Sequence, residues 1–508
     1  DTLLLEGLES GRLNPKGYKC ISKEIRVPRL FAGLWLRIFT QDLCLRDDVD
    51  TTALAFLRQL LCIGKKTNVP CSASRIRDTV KDYINVEERL PSPTLAWEAD
   101  DLDCVGDGVS LHLCDYIVPE TPLLVRDDEQ AGERDRVFLA RCQLVADIVA
   151  RDLGTFCPYT YTSRRMVEGR SPSLKHGPGA VSDMSGRNID KYRFNQWSDK
   201  LERIFPFEDF GKSSLGGERP VNSEHSSKLI GVPKTLKGPR LIASEPAEHM
   251  WCQQVTKAML EDSIRSSCVA QSIDFTSQEK SSSLARLGSL DRRNATVDLS
   301  SASDRLTCKL VERVFRANRT LLQTLHAHRT RTIRIEGFKG VEPTTIKLKK
   351  FASQGTAVTF PVQTVVFTII AIASLSNSSN EITTEWVRKK SQLVRVFGDD
   401  IILPKYGYER LCRLLHILDL RVNKGKSFSN GYFREACGGD FYKGDDVTPV
   451  KPPTTVSDGP ETCLSVLDTS NNLFLKGYWY ASQKLKDRLD LDRLRRFPIR
   501  HHGSGAVG

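Results

Sequence analysis

Two adjacent carboxylates, Asp399 and Asp400, follow Phe397-Gly398 between the apolar runs 393–397 and 401–403. The pattern predicts two short strands joined by a tight turn with acid at its tip. Successive strand residues face opposite sides of a sheet, so a turn is needed to present both acids near one place. Like charges held that close are costly unless a cation neutralises them. The chemistry that uses such a pair is two-metal phosphoryl or nucleotidyl transfer. Gly-Asp-Asp is also what an ordinary hairpin turn looks like, so its meaning depends on the rest of the chain.

A second acidic centre is Asp298-Leu299-Ser300-Ser301-Ala302-Ser303-Asp304, preceded by the short apolar strand pattern 295–299. A strand that ends in Asp and enters a small-residue turn places that acid at a sheet edge. Two metal ions about 3.5–4 Å apart need bridging carboxylates from different strands. Asp298 and Asp399 are the expected bridges, with Asp400 as an auxiliary ligand. The bland alternative is a helix N-cap, which Asp304 or Ser303 fills equally well. The basic turn Lys228, Lys234, Lys237 and Arg240 is a candidate triphosphate clamp, since Lys and Arg donors stabilise charge developing on a leaving pyrophosphate. It is equally readable as a solvated hairpin. Ser353-Gln354-Gly355-Thr356 offers hydroxyls and a flexible backbone, or a simple helix cap. Lys424 and Lys426 are candidate proton donors to pyrophosphate, or charges on a strand edge.

The elements that must position these groups follow from periodicity. The segments 52–61 and 134–153 have helical apolar spacing, and the first 150 residues read as mostly helical. Two strands joined by the basic turn are expected over 228–242, then a helix over 245–266. A helix is expected over 303–325 and a basic hairpin over 331–336 and 344–350. The hairpin bearing Asp399 follows an apolar helix, and a helix over 408–418 comes after it. Strand, helix, helix, strand, strand, helix, strand is the order of a ferredoxin-like α+β sheet covered by helices on one face. The apolar run 357–375 is long enough to span a bilayer, but Thr359, Pro361, Gln363, Thr364 and Thr368 interrupt it, so it reads as a buried core helix.

The 508 residues can bury several cores. Lys plus Arg number 74 against 63 Asp plus Glu, a net charge of +11, which suits a polyanionic partner. The 14 Cys include no Cys-x-x-Cys pair, against a zinc ribbon. Scattered thiols without a secretion signal suggest a reducing cytosol. The chain begins at Asp1 without an initiator Met, as a processed chain or a fragment would.

The ordered set Val232-Pro233-Lys234…Lys237…Arg240, Thr296-Val297-Asp298-Leu299-Ser300…Ala302-Ser303-Asp304, Ser353-Gln354-Gly355 and Phe397-Gly398-Asp399-Asp400-Ile401-Ile402-Leu403-Pro404 resembles viral RNA-directed RNA polymerases. More narrowly, it is similar to the replicase beta subunits of positive-strand RNA bacteriophages, the leviviruses. Phe433-Arg434-Glu435-Ala436-Cys437-Gly438 and Phe441-Tyr442-Lys443-Gly444-Asp445-Asp446-Val447-Thr448-Pro449 are especially close to that group. The resemblance runs from about Ser163 to Val450.

The resemblance implies a right-hand polymerase of fingers, palm and thumb. It implies a mostly helical region over 1–160, fingers over 161–290, a palm over 291–450 with 331–350 as an inserted hairpin, and an incomplete thumb-side segment over 451–508. Asp298, Asp399 and Asp400 would hold two magnesium ions. Asp304 would sense the ribose 2′-OH. Lys234, Lys237 and Arg240 would grip the triphosphate, while Ser353, Gly355 and Thr359 would position nucleotide and template. Lys426 resembles the acid for pyrophosphate more than Lys424 does. The implied partners are a single-stranded RNA template, nascent RNA, ribonucleoside triphosphates and host elongation factors Tu and Ts. Initiation would be primer-independent, in the cytoplasm of a bacterial host and away from membranes. Two departures stand out. Gln363 occupies a position where many such polymerases carry Asn, and the stretch His501 to Gly508 looks like an internal part of the phage proteins. A reverse transcriptase and a non-catalytic RNA-binding subunit on the same scaffold are the alternatives. The small-residue turn and Asp304 favour ribose over deoxyribose.

Overall fold

Among the described residues twelve strands form, most of them four residues or fewer. The structure is a computed structural model. It describes residues 1–102, 109–116, 129–177, 179–182, 191–211, 220–235, 238–489 and 497–500. Lys237 and the stretch from His501 to Gly508 lie outside the described residues. β1 (Ser227–Thr235) and β2 (Gly238–Ser244) form the first hairpin. β3 (Asn294–Val297) continues past Asp298 into β4 (Leu299–Ser300). β5 (Thr332–Ile335) and β6 (Thr344–Lys347) form a second hairpin, and β7 (Arg395–Phe397) and β8 (Asp400–Pro404) a third. β9 (Arg421–Val422) follows the Tyr408–Ile417 helix. β10 (Phe433–Ala436), β11 (Gly439–Tyr442) and β12 (Asp445–Asp446) form an antiparallel meander.

The architecture is mixed α+β. β3, β8 and β7 pair antiparallel in that order. β9 pairs with β4, on the continuation of β3. The strand sequence across this region is therefore β9, β4/β3, β8, β7, the connectivity of a split βαβ unit. A separate four-stranded sheet runs β2-β1-β5-β6. Its centre is a parallel pairing of Ser227 with Ile333 and Lys228 with Arg334. The basic hairpin and the hairpin expected as a palm insert thus share one sheet.

The apolar run becomes the Thr359–Ala373 helix, buried at every residue except Phe360. It packs against the Glu129–Asp152 and Tyr408–Ile417 helices and against β7 and β8, in one large apolar core. Among the described residues no helix is long and apolar enough to cross a membrane. The helix expected over 303–325 is instead broken into a 3-10 turn at Ser303–Arg305 and helices Cys308–Val314 and Arg319–Ala327. Thr307 and Asn318 cause the breaks, because each side chain accepts a backbone N–H of the turn that follows it. The N-terminal Thr2–Ser10 helix packs its leucines with Phe428, Phe433 and Tyr442. The first residues are therefore built onto the strands after the acidic hairpin.

Candidate active site

The hairpin acid is held from one side. Phe397 pairs with Asp400, leaving Gly398-Asp399 as a two-residue loop. Gly398 has φ +64°, a conformation that suits Gly at the first central position of a hairpin turn. Its N–H donates to Thr364 Oγ1 at 3.1 Å. A Cβ there would lie 2.6 Å from Phe360 Cε2. The Thr359–Ala373 helix thereby fixes the turn and leaves Asp399 exposed.

Asp298 arrives from the neighbouring strand. Val297 pairs with Ile401, so the next step of the antiparallel register brings Asp298 alongside Asp400. Its backbone N–H donates to Ser427 Oγ at 3.2 Å and its carbonyl accepts from the Asn423 N–H at 2.8 Å. Asn423 Nδ2 donates to Asp298 Oδ2 at 2.7 Å. Lys426 Nζ lies 3.8 Å from Asp298 Oδ1 and 3.4 Å from Glu435 Oε1 on β10. Burial raises the Asp298 carboxyl above its usual range; Lys426 and Asn423 oppose this, and Asp399 adds to it. Partial burial would lower the Lys426 ammonium, but Glu435 and then Asp298 more than offset it, and the net shift is upward.

Asp400 faces differently. Its Oδ2 accepts the Cys437 N–H at 3.0 Å, in the turn between β10 and β11. Burial and then the Asp399 charge push its carboxyl up to about 7, against the pull of that hydrogen bond. Three acids on one electrostatic cluster thus point two ways, as strand alternation demands. Among the described residues no group of three His, Cys, Asp or Glu side chains is placed to hold a metal ion.

Lys234 stands at the same cleft. Its ammonium is held below the ordinary value, first by partial desolvation, then by Arg240 and Lys426, while Asp399 and Asp298 pull it up. Arg240 lies across the β1–β2 hairpin, opposite Val232. Lys228 is turned away, ion-paired with Glu336 at 3.0 Å. Lys424 and Lys426 lie in a 3-10 turn after β9.

Of the remaining candidates, Ser353 and Thr359 are buried, Gly355 is exposed and Asp304 lies between. Ser353 is buried, with its Oγ 3.0 Å from Tyr83 OH. Thr359 is buried and its Oγ1 donates to the Ser353 carbonyl at 2.8 Å. Gly355, at φ +114°, lies so close to β2 that a Cβ would stand 2.1 Å from the Ala243 carbonyl oxygen. These three shape a wall of packed backbone. Asp304 is half-buried and pairs with Lys350. Sequence reasoning missed Asn423, Glu435 and Lys350. Glu435 sits in a quoted motif, and Lys350 closes the alternating basic run, but neither position announces its partner.

The family model for the RNA replicase beta-chain matches residues 208–463. The RNA-directed RNA polymerase beta subunit of Enterobacteria phage SP is 32% identical over 257 residues, which cover 49% of this chain and 41% of the relative. That of Escherichia virus Qbeta is 33% identical over 224 residues, 44% of this chain and 34% of the relative. The beta chain of Escherichia phage MS2 is 32% identical over 227 residues, 44% and 38% respectively. The matches thus span less than half the length of these relatives. Among solved structures, one described as an RdRp complex overlaps 67% of this chain and 31% of its own length, with 10% identity and a TM-score of 0.41.

Proposed function

This chain belongs to the RNA replicase beta-chain family, and from that premise we propose that it carries out template-directed RNA synthesis. The observation that carries the reading is Asp298 and Asp399 presented by adjoining strands, with Lys426 and Lys234 in their field. The β3–β8–β7 sheet is then the palm, the β2-β1-β5-β6 sheet part of the fingers, and 451–489 the thumb side.

The donors fit magnesium. They are hard oxygen ligands whose mutual repulsion and burial leave negative charge undercompensated. Magnesium is typically held by one or two carboxylates plus substrate phosphates, so a prebuilt cage of three acids is not required. Asp298 and Asp399 would hold the ions, with Asp400 assisting from behind the turn. Magnesium held there would supply a lowered pKa for the attacking hydroxyl and positive charge against the leaving group.

The protein's own groups do the rest. Lys234, Lys237 and Arg240 bind the triphosphate of the incoming ribonucleotide. The 3′-hydroxyl oxygen forms a bond to the α-phosphorus while the bond to the departing pyrophosphate breaks. Lys426, kept protonated by Glu435 and Asp298, supplies a proton to that pyrophosphate. Asp304 accepts from the ribose 2′-OH. The packed wall of Ser353, Gly355 and Thr359 fixes the backbone beside the nucleotide. By family, the template is phage RNA, initiation needs no primer, elongation factors Tu and Ts take part, and the work is done in the bacterial cytoplasm.

The test is extension on a short RNA ending in 3′-CCA, with four ribonucleoside triphosphates and magnesium, with and without factors Tu and Ts. Full-length complement that is lost in Asp298→Asn and Asp399→Asn, with both variants folded, supports the reading. Wild-type rates from either variant refute the metal assignment. RNA binding without synthesis under both conditions favours a non-catalytic subunit.

A further inference from the structure

Asp304 does not stand alone. Its Oδ1 is 3.0 Å from Lys350 Nζ, and Lys350 is fully buried. The ammonium also lies 3.4 Å from Glu87 Oε2 and 3.6 Å from the centroid of the Tyr83 ring. Glu87 and Tyr83 belong to the Ala73–Arg89 helix, in the N-terminal part of the chain that carries no legible motif. Glu87 Oε1 accepts the N–H groups of Lys349 and Lys350, and Tyr83 OH meets Ser353 Oγ. The backbone joins the same parts. The Cys308 N–H donates to the Lys349 carbonyl at 2.9 Å, and the Phe351 N–H to the Leu306 carbonyl at 2.7 Å. The segment carrying Asp304 is therefore laced to the segment carrying Lys350.

We propose that Lys350, gripped by Glu87 and Tyr83, is the positioning residue that aims Asp304 and so sets the preference for ribonucleotides over deoxyribonucleotides. This rests on the reading of Asp304 as the acid that meets the ribose. An ammonium on one carboxylate oxygen selects one rotamer of the acid. No other hydrogen bond to Asp304 forms among the described residues, so its Oδ2 is left as an acceptor for a sugar hydroxyl. A deoxyribose offers no donor there and leaves that acceptor unpaired, which is how a polar site rejects an analogue lacking one hydroxyl. Gln363 lies against the Gly398 turn, its Nε2 3.3 Å from the place of a Gly398 Cβ. The Ala73–Arg89 helix thus acts on Asp304 through Lys350.

The test compares kcat/KM for single ribo- and deoxyribonucleotide additions by the full chain. Lys350→Met alone strands Glu87 in the interior and risks the fold. Lys350→Met/Glu87→Gln removes both buried charges together and keeps an acceptor for the two backbone N–H groups. The expected result is a ribo-to-deoxyribo ratio lowered about tenfold, the scale of coupling within one ion-pair network. Adding Asp304→Asn to that variant should lower the ratio no further. A merely structural role would slow both additions equally; a ratio unchanged within about twofold overturns the proposal. A wild-type chain that adds no nucleotide overturns the polymerase reading itself, and one that adds both sugars alike overturns the role of Asp304.

Discussion

Gly398→Ala asks how firmly the acid-bearing turn is clamped. At φ +64° an L-residue pays a left-handed strain of about 1–2 kcal/mol. The new Cβ would also lie 2.6 Å from Phe360 Cε2 and 3.3 Å from Gln363 Nε2. Phe360 is exposed on one side and can give way only there, since its ring is flanked by those of Phe397 at 4.9 Å and Phe275 at 5.7 Å. Forcing extra volume into such packing costs about 1–3 kcal/mol. The two effects together predict a loss of about 2–5 kcal/mol. Urea unfolding of the wild type and the variant measures it. Phe360→Leu in the same background should return part of the clash but none of the backbone strain. Nucleotide incorporation is the second readout. Asp399 is the next residue, and a displacement near 1 Å at a reacting centre costs about a hundredfold in rate. A Gly398→Ala protein as stable and as active as the wild type would show that neither the ring contact nor the turn conformation positions the acid.

Lys426→Met removes the cation between Asp298 and Glu435, and incorporation should fall about a hundredfold, as for loss of a general acid. Lys426→Arg keeps the charge but gives up its proton poorly, so it should remain slow in a single-turnover assay; full rescue by Arg would reduce Lys426 to a fixed charge. Glu224 tests the pH dependence of stability. Burial alone would raise its carboxyl, but Lys200 first and then Arg331 hold it at about 2, with Lys200 Nζ and Arg331 Nη2 each 2.9 Å away. A depressed carboxyl stabilises the fold above its unfolded value near 4.5 and loses that contribution as pH falls toward 2, about 3 kcal/mol in all. Unfolding midpoints between pH 5 and pH 3 should fall more steeply for the wild type than for Glu224→Gln, and equal slopes would remove Glu224 from the account.

The parts of the site that are local were legible from the residues. Phe397-Gly398-Asp399-Asp400 reads as a hairpin because an apolar alternation meets a Gly, and the φ of Gly398 agrees. The helices near 52–61, 134–153 and 408–418 follow from apolar spacing of about 3.6. The break of the 303–325 helix was overlooked, although Thr307 and Asn318 are both capping residue types. The Ala73–Arg89 helix falls within the region that reads as mostly helical, but its bounds are not legible, because only Val80, Tyr83 and Glu87 are buried along it and one of these is charged.

By itself, the order of residues determined which acids exist and which strands carry them, since these depend on short-range pattern. Only the tertiary structure decided where each acid points and what it meets. Asp400 turns from the cleft to the Cys437 N–H, Glu435 reaches Lys426, and Glu87 and Tyr83 arrive beneath Lys350. The parallel pairing of β1 with β5 likewise joins segments about a hundred residues apart. Such meetings are set by the packing of a shared core and by the cost of leaving a buried charge unpaired, and neither is written in any one stretch of chain.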